Sequence, residues 1–363
     1  MLDISGLIAT WRPTLDTAAR NAWGLSFGDG VEKAERTPSV LISEGLHRDL
    51  YRFGALWTPR GNPVLLVPPL AVSADCYDLR AGQSLAAHLL DGANTPYLLD
   101  YGTMRYSDRG MGFEAWVDDI IPEAIRTISD LHDGAPVSLI GWSLGGTMSL
   151  LTGSAHSDLP IASITAIGTP IDYTKIPAIS PLRLIGKYTG DTPLTSATNL
   201  VGGLPAPLVQ ASYKVTALQR EVLKPWFIVR NLHNTETLAR MESIDKFMAA
   251  MPGYPGKAFQ QICEQLMLGN NLYNDAVTLA GREIKLSALS VPVLAIGGTT
   301  DVIAPIASVE AITSVLTGAP SVRFEKAPGS HLGLVAGPTA RDSTWAHIDE
   351  FLKENAPQLV STS

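Results

Sequence analysis

The sequence has little cysteine: Cys76 and Cys263 are the only two in 363 residues. They stand far apart with no metal-type spacing, so neither a metal site nor a disulfide framework is called for. Charge is also sparse. Asp, Glu, Lys and Arg make up 17% of the chain, the formal net charge is −8, and no basic run occurs. Phosphate backbones need clustered Lys and Arg, so a nucleic-acid partner is not expected. The segment from Met1 to Ile8 lacks a basic n-region and a long apolar stretch, and no apolar run reaches membrane-spanning length. These absences lead to the expectation of a soluble, cytoplasmic chain with no metal and no cofactor.

Apolar residues are plentiful, at 45%, and 25 prolines and 32 glycines supply many turns. The length suits a single α/β domain with a large insertion. Val40 to Phe53 reads as two short strands around Glu44-Gly45. Asn62 to Val67 reads as a buried strand stopped by Pro68-Pro69, Tyr77 to Leu90 as a helix, and Thr95 to Leu99 as a strand. Phe113 to His132 reads as a helix, Val137 to Trp142 as a strand followed by a helix, and Ile161 to Ile167 as a strand. Alternation of this kind implies a mostly parallel sheet with helices on both faces.

The rhythm breaks from Asp172 to Leu286, which is mostly helical and rich in Met and aromatics such as Met241, Phe247, Met248, Met251, Phe259, Met267 and Tyr273. It resumes with a strand from Val291 to Ile296, a helix from Pro305 to Leu316, a strand from Ser321 to Phe324 and a last helix ending near Lys353. The expected organisation is a helical N-terminal extension over 1–38, a core over 39–171, a helical cap over 172–286 and the rest of the core over 287–363. A cap over the strand ends encloses a dry, apolar pocket, although most of its Met and Phe residues must form the cap's own core. In the extension, Ile4, Leu7, Ile8, Trp11, Leu15, Ala18 and Ala19 follow helical spacing. The favoured expectation is that this stripe covers an apolar face of the main domain. Peripheral contact with a lipid surface is the alternative, weakened by the few Lys and Arg on the polar face.

The chemistry centres on Gly141-Trp142-Ser143-Leu144-Gly145-Gly146. An apolar strand runs into Gly-x-Ser-x-Gly and a helix follows, the setting of a nucleophile elbow. Residues two before and two after such a serine come too close to carry side chains, and Gly141 and Gly145 meet that need. A serine hydroxyl is a poor nucleophile at neutral pH and needs a base with an acid to orient it. In this fold the order along the chain is serine, acid, histidine. Of the seven histidines, His331 lies in a loop after the final strand, Ala327 to Gly333, and is the expected base. Asp301, after the strand from Val291, is the expected acid; its bland alternative is a helix N-cap, and Asp172 competes for the role. The oxyanion hole is expected to use the Leu144 N–H and one from the loop after Val67. Pro68 and Pro69 carry no N–H, so Leu70 is the first available donor, with Ala71 next. Arg105 and Arg109 are read as solvated, and Trp142 as shaping the pocket or packing under the elbow.

These stretches resemble one family. Val67-Pro68-Pro69 stands where esterases usually have His-Gly. It is followed by Tyr77-Asp78-Leu79-Arg80 with Ser84-Leu85, Leu99-Asp100-Tyr101-Gly102, the elbow, Asp301-Val302-Ile303-Ala304-Pro305 and Gly329-Ser330-His331-Leu332-Gly333. Pro255 to Phe259 and Gly281 to Leu286 also match. Together, from about residue 60 to 340, they look like the polyhydroxyalkanoate synthase group of α/β-hydrolase proteins. The resemblance implies an α/β-hydrolase fold with a cap and a triad at Ser143, Asp301 and His331. It departs at the nucleophile, where the synthases carry Cys, and after the acid, where they usually carry His and this chain has Val302.

The function expected from this reading is a serine esterase or lipase cleaving acyl esters of medium or long chain through an acyl-enzyme. The first alternative is an acyltransferase related to the synthases, using acyl-CoA or hydroxyacyl-CoA. A non-catalytic ligand-binding homologue is the second. The expected partner is thus a small-molecule acyl ester or acyl thioester.

Overall fold

Eight strands form one sheet: β1 (Ser39–Ser43), β2 (Asp49–Phe53), β3 (Asn62–Val67), β4 (Asn94–Asp100), β5 (Val137–Trp142), β6 (Ile161–Ile167), β7 (Val293–Gly298) and β8 (Val322–Ala327). Their spatial order is β1-β2-β4-β3-β5-β6-β7-β8. The structure is a computed structural model that describes residues 4–55, 61–181, 183–184, 203–216 and 218–356. The pairs β1·β2 and β2·β4 are antiparallel, and every other pair is parallel. The C-terminal ends of β3, β5, β6, β7 and β8 therefore open on one edge of the sheet. Register ties them together there: Val67 faces Gly141, Trp142 faces Ile167, and Gly298 faces Ala327. In open α/β sheets this is the edge where ligand sites form.

Both faces of the sheet are covered, which is why its central strands read as unbroken apolar runs. Alternate residues feed two cores. Leu65, Val67, Val137, Leu139, Val293 and Ala295 join Trp116, Ile121 and Ile125 on one face. Val64, Leu66, Ile140, Trp142, Leu294 and Ile296 join Tyr77, Leu85, Leu89 and Trp345 on the other. Helix α4 (Leu144–Ala155) leaves β5 directly after Ser143 and is buried from Leu144 to Gly153.

The expected helix over 77–90 is shorter. A 3₁₀ turn covers Ala74–Tyr77 and α2 runs only from Leu85 to Asp91, with the Ser84 hydroxyl capping it by accepting from Ala87 N. Between them Arg80 turns inward to Glu32 and Glu236, a tertiary pull that local spacing does not carry. The expected helix over 113–132 is a π-helical stretch, Ala115–Ile120, running into α3 (Ile121–Leu131).

Between β6 and β7 lie α5 (Ala206–Thr216), α6 (Leu218–Asn231) and α7 (Thr235–Ala249). Two short antiparallel pairs accompany them, Gly203–Leu204 with Tyr254–Pro255 and Val277–Leu279 with Arg282–Ile284. Val209, Phe247 and Met251 of this inserted segment enter the core that contains Trp142.

Helix α1 (Ile4–Phe27) departs from expectation. The side chains of Ile4, Leu7, Ile8 and Trp11 lie outside the described residues. Of the rest of the stripe, Leu15 and Ala19 are exposed, as are the neighbouring Trp23 and Phe27. The apolar stripe therefore does not cover the main domain there. The helix is fastened instead by a polar residue: Asn21 Nδ2 donates to Leu232 O at 2.8 Å and to Thr235 Oγ1 at 3.1 Å. Among the described residues no helix is long and apolar enough to cross a membrane.

Candidate active site

Ser143 sits at the turn between β5 and α4 with φ 55° and ψ −122°. A non-glycine residue in that region is strained, and such strain persists only when the surroundings over-determine it. The surroundings here do so. Ser143 N donates to Ile167 O at 2.8 Å, and Ser143 O accepts from Thr169 Oγ1 at 3.1 Å. The flanking glycines are sterically required. A Cβ on Gly141 would stand 2.4 Å from Gly145 C, and one on Gly145 would stand 2.0 Å from Val67 O.

His331 lies in the loop after β8 and Asp301 in the loop after β7. Both are buried, and His331 Nδ1 bonds Asp301 Oδ2 at 2.7 Å. The Nδ1–H donates to the carboxylate, which leaves the lone pair on Nε2. Nε2 is buried and has no hydrogen-bond partner among the described residues. The imidazole is located by the elbow itself: its ring centroid is 5.1 Å from that of Trp142, whose Nε1 donates to His331 O at 3.1 Å. It also lies against Gly168, where a Cβ would come within 3.3 Å of Cε1 and Nδ1.

Asp301 does not cap the helix that follows, which runs from Ile306 with Pro305 at its N-cap. Its Oδ1 accepts from Ile303 N and Ala304 N, each at 2.8 Å, while Oδ2 takes His331. The loop thus holds the carboxylate from one side and the carboxylate holds the imidazole from the other. The competing Asp172 is otherwise engaged. Its Oδ1 accepts from Thr174 N, Thr174 Oγ1 and Asn270 Nδ2. Leu144 is the first residue of α4, and Leu70 follows the two prolines after β3; both are buried. Ala71 in that loop has φ 57°, a strained backbone like that of Ser143. Arg105 and Arg109 are exposed, with Arg109 folded over the Tyr106 ring.

Two residues escape the sequence reading. Tyr77 Oη donates to Val67 O at 2.8 Å and accepts from Trp142 N at 2.8 Å, and Tyr101 Oη donates to Pro68 O at 3.1 Å. Both tyrosines are buried, and burial pushes both phenols well above their ordinary range, so they stay protonated. The signal that points to them is indirect: a Pro-Pro loop keeps its carbonyls but loses its N–H groups.

A family profile described as the alpha/beta hydrolase fold matches residues 63–338. The chain belongs to that family. Within it, the chain is similar to the poly(3-hydroxyalkanoate) polymerase subunit PhaC of Allochromatium vinosum, with 23% identity over 300 residues, covering 80% of this chain and 81% of the relative. It is likewise similar to the subunit of the same name from Cupriavidus necator, with 25% identity over 338 residues, covering 90% of this chain and 56% of that one. Among solved structures, MenH from S. aureus superposes with a TM-score of 0.50 at 15% identity, over 84% of this chain and 98% of its own. That likeness concerns the fold alone.

Proposed function

We propose that this alpha/beta hydrolase is an acyltransferase working through an acyl-enzyme on Ser143, with an acyl thioester as donor and a hydroxyl as acceptor. The observation that carries it is a strained Ser143 whose neighbour Trp142 packs on a buried imidazole, with Nδ1 of that ring held by Asp301 and Nε2 without a hydrogen-bond partner among the described residues. His331 Nε2 takes the Ser143 proton as the oxygen attacks the acyl carbonyl. The Leu144 and Leu70 N–H groups hold the oxyanion. Collapse of the tetrahedral intermediate breaks the carbon–sulfur bond, and the departing thiolate receives the proton from His331. An acceptor hydroxyl then attacks the acyl-serine, gives its proton to Nε2 and leaves as the new ester, and Ser143 regains the proton.

The likeness to proteins named for polymerising 3-hydroxyalkanoates supports transfer over hydrolysis. A 3-hydroxyacyl group carries both an acyl carbonyl and an acceptor hydroxyl. Hydrolysis is the second reading, and one observation favours it. The nucleophile is an oxygen, which gives an oxyester acyl-enzyme of the kind hydrolases use. The two are separated by incubating the purified chain with 3-hydroxybutyryl-CoA and measuring released thiol, free acid and ester-linked product. Transfer predicts ester product with less free acid than thiol. Free acid equal to thiol leaves hydrolysis standing and overturns the proposal.

A further inference from the structure

Pro68 and Pro69 leave the loop after β3 without a backbone N–H at two successive positions. The loop therefore cannot be held by donating from those positions. Its carbonyls remain and, being buried, require partners. Val67 O and Pro68 O find them in phenols from opposite directions. Tyr77 comes from the end of the 3₁₀ turn and Tyr101 from just beyond β4.

The Tyr77 oxygen does more than hold one carbonyl. It accepts the N–H of Trp142, the residue before Ser143. Ile140 O lies 3.3 Å away, but a hydroxyl has one proton and Val67 O at 2.8 Å is the nearer acceptor. One atom thereby joins the loop after β3 to the strand that presents the serine. Val67 O is also the atom that a Cβ on Gly145 would strike at 2.0 Å. The position of that carbonyl thus sets the gap between the loop and the first turn of α4. Tyr101 is anchored in its turn, since its own carbonyl accepts from His47 Nδ1 at 2.8 Å.

We propose that Tyr77 and Tyr101 are positioning residues whose hydroxyls fix the spacing between the Leu70 and Leu144 N–H groups. Neither touches the reacting atoms. They act through the two donors that hold the oxyanion. The inference rests on the Ser143 acyl-enzyme reading. Losing one oxyanion donor costs about 100-fold to 1000-fold in kcat, and a displaced donor costs less.

The test uses Tyr77→Phe and Tyr101→Phe, which keep the rings. Steady-state turnover of p-nitrophenyl butyrate is measured together with the rate of labelling by a fluorophosphonate. For Tyr77→Phe we expect kcat to fall about 10-fold to 100-fold, KM to stay within about twofold, and the labelling rate to fall by a factor similar to kcat. Tyr101→Phe, which breaks one bond rather than two, should lose about 3-fold to 10-fold. A purely structural role would lower the melting temperature and leave kcat per folded molecule unchanged. Unchanged kcat and labelling in both variants overturn the inference. Should Tyr77→Phe fail to fold, Tyr101→Phe decides by the same readouts. Ser143→Ala runs alongside. If it keeps turnover, the acyl-enzyme reading fails; if it is inactive while both tyrosine variants match the parent chain, only the positioning role fails.

Discussion

The loops at the strand ends and the helices around them are held in opposite ways. At the strand ends, polar groups are buried and paired at short range: Asp301 with His331, Tyr77 with Val67 and Trp142, Ser143 with Ile167. The outer helices keep large apolar side chains in water. Trp23 is 66% exposed on α1, and Trp226 is 69% exposed on α6. Polar contacts tie this layer down beside the apolar ones that Phe247 of α7 makes with the core. Arg80, itself buried, reaches half-exposed Glu32 from the N-terminal segment and Glu236 from α7. A reacting group has to stay within a fraction of an ångström of its working position, and short hydrogen bonds in a low-dielectric setting supply that. The outer layer has no such demand and is joined by contacts that water can replace.

This contrast can be broken most severely at Gly145. Gly145→Ala puts a Cβ against Val67 O, a backbone atom that cannot rotate away. The expected cost is about 3 kcal/mol or more in chemical denaturation, with activity lost even where the chain folds. Asp301→Asn is next. It preserves shape but offers His331 a donor as well as an acceptor, so the imidazole loses its fixed tautomer. Turnover should fall by about 10⁴-fold with little change in melting temperature.

Arg80→Ala probes the outer layer. Removing the guanidinium leaves two carboxylates that water can reach, so the loss should be about 1–3 kcal/mol rather than the larger cost of stranding a buried charge. This pair also gives a pH signature. Hydrogen bonding to Arg80 holds the Glu236 carboxyl below its usual value of 4.5. A lowered folded-state pKa means the stabilisation is present above about pH 4.5 and is lost as pH falls through the lower folded value. Acid titration of stability in Arg80→Ala should lack that portion of the slope. Trp226→Ser should change stability by less than about 0.5 kcal/mol, because a mostly solvated side chain gives up little on removal. A loss above 2 kcal/mol would show that the outer helices are packed like the core.

The same contrast marks how far the amino-acid sequence could be read. β3 and β5 were evident to within a residue because their apolar runs are buried on both faces and end at a double proline and at Gly-x-Ser-x-Gly. Asp301 and His331 could be named as a candidate pair because chain order and strand ends restrict the choices, and their side chains meet at 2.7 Å. Tyr77 and Tyr101 could not, since each looks like an ordinary core aromatic until its hydroxyl is seen on a carbonyl far along the chain. Arg80 interrupts an apparent helix by binding a residue 156 positions away, a separation no local pattern encodes. For α1, helical spacing described the helix but not its surroundings, and Leu15 and Ala19 are exposed where a covered stripe was expected.

The proposed acyl-enzyme places the acyl group on Ser143. Mass spectrometry of the intact chain after brief exposure to 3-hydroxybutyryl-CoA, followed by peptide mapping, tests it directly. An acyl-enzyme on Ser143 predicts one added acyl mass, mapped to the peptide containing Ser143 and absent from Ser143→Ala. An acyl group on another residue, or turnover by Ser143→Ala at the parent rate, would contradict it.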